Sequence, residues 1–228
     1  MMKRIIRILI ILTITFAVIV IYLSIFGIKT EKFNNEIIKN VSKVNKKINL
    51  SLNEVNYLLN PLNFSINISS KNPRILLEDK NLDLSDVTSN ISLKSFISNQ
   101  FSIDDLKIST KEIQIKDLIS LTRAVEGSPE LFVLDSITKE GLISANINLT
   151  FDLNGEIKNN YQINGAIKKA KFNIFNQVKI DNLDLTFNIS NNQLTLRKIE
   201  TNLNSIKLKS PLIKIEKRKM YFSLMEKW

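Results

Sequence analysis

Five carboxylates, Asp79, Asp83, Asp86, Asp104 and Asp105, are the side chains whose type and closeness could support acid–base chemistry or hold a cation. They sit among the Asn, Ser and Lys residues typical of turns, which reads as solvated loop acids and not as a catalytic pair. A calcium loop needs alternating acids with a Gly at a fixed offset, and neither these acids nor Asp181 and Asp184 supply it. The chain has no His and no Cys, so it lacks the usual general base, the commonest metal ligand and any thiol nucleophile. Gly27, Gly127, Gly141, Gly155 and Gly165 fall singly, and no phosphate-cradling loop is written. The expectation is a chain without a catalytic residue, a metal or a cofactor. Chemistry being absent, function must lie in a surface, and the elements that build it come next.

The formal charge is +10, a value that could point to nucleic acid. Its placement points elsewhere. Lys3, Arg4, Arg7 and Lys29 flank an apolar run, Lys32, Lys39, Lys43, Lys46 and Lys47 follow it, and Lys207, Lys209, Lys214, Lys217, Arg218, Lys219 and Lys227 crowd the end. The stretch between is close to neutral, so the expected partner of the basic segments is an anionic lipid surface and not nucleic acid.

Ile8 to Ile28 is a run of 21 residues without a charged side chain; as a helix it reaches about 31 Å, the thickness of a bilayer's hydrocarbon. A cleaved signal peptide would carry a shorter apolar region of roughly 7 to 15 residues and a small-x-small site, so residues 1–29 read as a retained anchor with a basic lead. Lys3, Arg4 and Arg7 favour a cytoplasmic N-terminus, with the bulk on the other side. Over residues 30–49, Phe33, Ile37, Val41, Val44 and Ile48 recur on one helical face opposite Lys39, Lys43, Lys46 and Lys47. This predicts an amphipathic helix that packs on the following sheet or lies on headgroups.

From residue 50 to 217 the period drops to two, the mark of half-buried strands. Ile48–Leu52, Phe64–Ile68, Arg74–Glu78, Val87–Leu93, Leu106–Ile108 and Ile113–Lys116 read as short strands. A helical insertion at about 117–138 starts with Asp117 as cap, stops at Gly127 and restarts at Ser128-Pro129. Ile143, Ala145, Ile147, Leu149, Phe151 and Leu153 then alternate with polar residues. Ile157, Tyr161, Ile163 and Ile167 continue the pattern, and Leu183, Leu185, Phe187 and Ile189 repeat it. A three-residue loop Leu153-Asn154-Gly155, with Gly155 left-handed, pairs Phe151 with Ile157. A turn at Asn191-Asn192 aligns Ile189 with Leu194 and Phe187 with Leu196, and one at Asn204-Ser205 aligns Leu203 with Ile206. Residues 142–217 are therefore an antiparallel meander of four to six strands. Residues 218–228 form a basic, aromatic tail.

The Asn-x-Ser/Thr triplets at Asn40, Asn49, Asn63, Asn67, Asn90, Asn148 and Asn188 arise from the polar face of such strands and not from selection for glycans. The apolar face is what remains. Helices, a second sheet, a partner chain or acyl chains must cover it.

The order of parts resembles the N-terminal part of AsmA-like envelope proteins: a basic lead, an anchor, the helix Lys32-Phe33-Asn34-Asn35-Glu36-Ile37-Ile38, and then Asn- and Asp-turned amphipathic strands. Asn72-Pro73-Arg74-Ile75-Leu76-Leu77 and Phe151-Asp152-Leu153-Asn154-Gly155 carry the likeness, which spans nearly the whole chain. The resemblance implies a bacterial inner-membrane anchor and a curved periplasmic sheet, a relative of bridge-like lipid-transfer proteins, in envelope lipid transport or outer-membrane biogenesis. It implies that Ile143, Ala145, Ile147, Leu149, Phe151, Ile157, Tyr161, Ile163, Ile167, Leu183, Leu185, Phe187 and Ile189 line a groove for phospholipid acyl chains. Members of that family are often longer, so the chain reads as a short member or a fragment. The competing expectation is a non-enzymatic scaffold that recruits another envelope protein through a sheet edge or face.

Overall fold

A computed structural model describes residues 2–32, 34–35, 38–39, 48–77, 80–98, 100, 102–125, 128–175, 177–190 and 193–216. The apolar run forms helix α1 (Met2–Ile25). Its hydroxyls donate back into the helix, Thr13 to the Leu9 carbonyl at 2.9 Å and Ser24 to that of Val20 at 2.7 Å, which leaves few polar groups without a partner along the span. The segment Arg4–Ile25 is long and apolar enough to cross a membrane.

After α1 the chain is mainly β. The strands are β1 (Ile28–Thr30), β2 (Ile48–Ser51), β3 (Val55–Asn60), β4 (Ser65–Lys71), β5 (Arg74–Leu77), β6 (Lys80–Ser92), β7 (Ile103–Thr110), β8 (Ile113–Gln114), β9 (Thr138–Thr150), β10 (Gln162–Ile174), β11 (Val178–Ser190), β12 (Gln193–Leu203) and β13 (Ile206–Glu216). Between them lie α2 (Leu93–Ile97), α3 (Ile115–Val125) and α4 (Pro129–Ile137). The spine of the sheet runs β1-β3-β4-β6-β7-β9-β10-β11-β12-β13, with β2 on β5, β5 on β6 and β8 on β9. It is an open, curved, antiparallel sheet.

Several registers follow the sequence pattern. Ile189 faces Leu194, Phe187 faces Leu196, and Leu203 faces Ile206. Phe151 bridges Ile157 across a loop in which Gly155 takes φ +87 and its N–H donates to the Asp152 carbonyl at 3.1 Å. The meander over 142–217 is the five strands β9 to β13. Ser128 and Pro129 open α4, Ser128 with extended backbone and Pro129 at the first helical position.

Other elements depart from the pattern. The first strand begins at Ile28 and takes Thr30, so the anchor helix ends at Ile25 and the next segment starts later than expected. Asn34, Asn35, Ile38 and Lys39 are helical; Phe33, Glu36, Ile37, Val41, Val44 and Lys43, Lys46 and Lys47 of the expected amphipathic helix lie outside the described residues. So do Asn40, Glu78, Asp79, Gly127, Asn191, Asn192 and the tail. β3 was hidden because Tyr57-Leu58-Leu59 does not alternate. The segment leaving α1 explains this: a Cβ on Gly27 would stand 3.1 Å from Leu58 Cγ, so Leu58 lies against the chain there although its strand neighbours point to the other face. Ile115 starts α3, where a strand was expected to run to Lys116. Asp83, Asp86, Asp104 and Asp105 lie in β6 and β7, not in loops. They occupy the wet side of strands, whose polar positions resemble turn clusters in sequence.

A seam crosses the meander. Gly141 (φ +139), Lys169 (φ +50), Asn182 (φ +51) and Lys198 (φ +52) are left-handed residues inside β9, β10, β11 and β12. At the last three, apolar spacing lengthens from two to three, from Ile167 to Ala170, Ile180 to Leu183 and Leu196 to Ile199. Pairing is irregular there and then resumes, as Phe172 with Ile180 and Ile180 with Leu203. Bulges of this kind bend a sheet and keep one side chain set on one face.

Candidate functional site

The pairings assemble the apolar positions into rows that cross the sheet. One runs Val55, Ser70, Val87, Ile108, Ile147, Ile163, Ile189, Leu194 and Ile215, from β3 to the far edge. A second runs Ala145, Gly165, Phe187, Leu196 and Ile213, and a third Ile143, Ile167 and Leu185. The sequence anticipated the members on β9 to β11. It missed the continuation through β7, β6 and β4, where Ser70 and Ser89 interrupt the alternation.

These residues do not share one environment. Helix α3 sits on β9 and reaches β6, where Ile115 and Ile119 pack with Ala170 against Ile143, Ile167, Phe172 and Leu183. Each buried isoleucine there contributes roughly 1.5–3 kcal/mol. Leu185 is buried as well. Arg123 of α3 binds the Asp135 carboxylate of α4 and lies 3.9 Å from the Phe132 ring centroid, which ties the helical pair together. Ala145, Ile147, Leu149, Phe151, Tyr161, Ile163, Phe187 and Ile189 are half-buried and stand outside the cluster formed by Ile115, Ile119 and Ala170. Ile157 sits in the excursion between β9 and β10 and is 53% exposed. Phe187 lies across Gly165: a Cβ there would stand 2.4 Å from its ring. The glycine thus makes room for an aromatic plate at the middle of the open region.

The opposite face is polar and partly hydrogen-bonded within itself, with Asp105 Oδ1 and Asn148 Oδ1 buried without a partner among the described residues. Asn67 donates to Asn90 at 2.9 Å and Asn90 to Asp105 at 2.6 Å; Asn188 donates to Asn164. Five triplet asparagines, Asn49, Asn67, Asn90, Asn148 and Asn188, stand inside strands. Exposed ion pairs link neighbours: Lys168 with Glu112, Lys171 with Glu140 at 2.9 Å, and Lys209 with Glu200 at 2.8 Å. Hydrogen bonds to those acids raise the Lys168 and Lys171 pKa values, and Lys209 lowers that of Glu200. The Glu156 and Asn154 amides lower that of Asp152. Among the described residues no three acidic side chains converge on a point that could hold a metal.

No family model matches the chain, and no curated protein or solved structure matches it either.

Proposed function

We propose that this chain is a membrane-anchored, non-enzymatic protein that holds lipid acyl chains on the open part of its apolar sheet face. The reading places α1 in a bacterial inner membrane, with its N-terminus cytoplasmic and the sheet in the periplasm, and groups the chain with AsmA-like proteins of envelope lipid transport. One observation carries it: a row of Ile, Leu and Val, broken at Ser70, runs from β3 to β13, and among the described residues the helical pair α3 and α4 packs on only one part of the apolar face. Apolar sheet surface left in water is unfavourable by roughly 25 cal/mol per Å², and acyl chains can cover a one-sided apolar face of an open, curved sheet without any directed polar group. Mass spectrometry of the full chain released from membranes tests this. Bound phospholipid is the expected result; a lipid-free, monodisperse monomer would overturn it.

A second reading has its own observation. β13 ends the strand order, and nearly every residue on it is exposed, including Ile206, Leu208, Leu212, Ile213 and Ile215. Such an edge can accept a strand from another envelope protein, although Pro211, Lys207, Lys209 and Lys214 restrict which strand would pair. Crosslinking from β13 to a protein, with no lipid on the face, would favour this scaffold role.

A further inference from the structure

The end of the sheet beside α1 carries apolar side chains that stay exposed among the described residues. Chain direction fixes their place. Ile28 and Thr30 leave α1 and pair antiparallel with Tyr57 and Val55, so β3 runs back toward the helix end and delivers the turn 61–64 beside it. Val20, Leu23 and Ser24 are half-buried at helical spacing while the preceding turns of α1 are exposed, and α1 meets β3. The last turns of the span therefore lie alongside this end of the sheet. Leu62 is 95% exposed and Phe64 54%. The Leu93 N–H donates to the Phe64 carbonyl at 3.0 Å, which starts α2 at the same place, and α2 presents Ile97 at 74% exposure next to the exposed Lys94.

Phe64 also has φ +48, a conformation that a bulky residue adopts only at a cost and that Asn or Gly adopts readily. Elsewhere the non-glycine left-handed positions hold Asn72, Asn182, Asn204 and Ser205, and also Lys169, Lys198 and Phe175. More than half of the Phe64 surface is nevertheless left exposed at this position.

We infer that the β3–β4 turn and α2 form a rim seated in the headgroup boundary of the bilayer that α1 crosses, with Leu62, Phe64 and Ile97 inserted and Lys94 at the phosphates. The apolar rows then begin at the membrane, because Leu59, Ile66, Ile91 and Ile103 follow directly behind the rim. The inference rests on the reading of α1 as a membrane span and deepens the lipid-binding reading by placing the entrance to the face. Aromatic and aliphatic residues at that depth are favoured, and a neighbouring lysine can reach the phosphates.

The chain has no Cys, so single labels are unambiguous. Leu62→Cys, Phe64→Cys, Ile97→Cys and Phe175→Cys, each carrying an environment-sensitive fluorophore, would be measured on the full chain in phosphatidylethanolamine–phosphatidylglycerol vesicles. Phe175 is the internal control: it is also left-handed (φ +48) and 76% exposed, but lies in the β10–β11 connection at the opposite end of the strands. The expected result is blue-shifted emission quenched by acyl-chain spin labels at 62, 64 and 97, and iodide quenching at 175. Phe64→Asn, which suits the backbone, should raise iodide access at a label on 62, while Phe175→Asn should not. Iodide quenching at 62 and 64 equal to that at 175, or lipid quenching at all four, overturns the rim. A chain that fails to float with vesicles overturns the anchor instead, and the labels report depth whether or not lipid occupies the sheet.

Discussion

Ile119→Ala and Ile163→Ala remove the same atoms from two parts of one apolar face, and the difference between them measures how much of that face is covered. Ile119 is 3% exposed, wedged by α3 against Ala170 and its neighbours. Three carbons lost at about 0.8 kcal/mol each, plus a void that rigid strands cannot close, give about 3 kcal/mol or more. Ile163 is half-buried on the open row, where solvent or lipid fills the space left behind, so its loss is about 1 kcal/mol. For a domain of this size each kcal/mol moves the midpoint by about 2–4 °C. Thermal melts of the full chain in micelles, followed by far-ultraviolet circular dichroism, should therefore show a fall of about 6–12 °C for Ile119→Ala and about 2–4 °C for Ile163→Ala. Equal falls would mean that Ile163 is sealed in a core, and the face would have no open part.

The seam and the loops yield further expectations. Gly141→Ala places a Cβ 2.7 Å from Ala170 Cα at φ +139, and Gly165→Ala places one 2.4 Å from the fixed Ser144 carbonyl, so both should lower the melting point by more than Ile163→Ala. Arg123→Ala breaks the bond to Asp135 and the stack on Phe132, at about 1–2 kcal/mol; a double-mutant cycle with Asp135→Ala should show coupling between the two. Asp152 has a lowered pKa because the Glu156 and Asn154 amides donate to it. Its contribution is present above the ordinary aspartate pKa and is lost as pH falls through the lowered one, so amide exchange at Asn154 and Glu156 should accelerate only in acid.

Much of the meander was legible because its loops are short. Once Leu153-Asn154-Gly155 and Asn204-Ser205 are read as turns, parity alone sets Phe151 on Ile157 and Leu203 on Ile206. The seam was legible in principle, since the three-residue steps Ile167 to Ala170 and Leu196 to Ile199 are visible in the sequence. Lys169 and Lys198 gave no warning, because lysine is not a residue type associated with left-handed backbone. β3 could not be read from alternation, since Leu58 lies against the segment leaving α1 and erases it. The apolar face was legible as a face, but its division into a covered and an open part was not: the stripe Ile115-Ile119 shows that α3 packs on something, and only the path of β9 and β10 shows on what.

A photoreactive amino acid at Ile163 or Ile189, compared with one at Asn164 or Asn188 on the other side of the same strands, tests the lipid-binding face most directly. Irradiation of membranes should yield phospholipid adducts, read by mass spectrometry, at the two isoleucine positions and not at the two asparagines. No lipid adducts at any position, or equal yields on both faces, would contradict acyl-chain binding by the sheet.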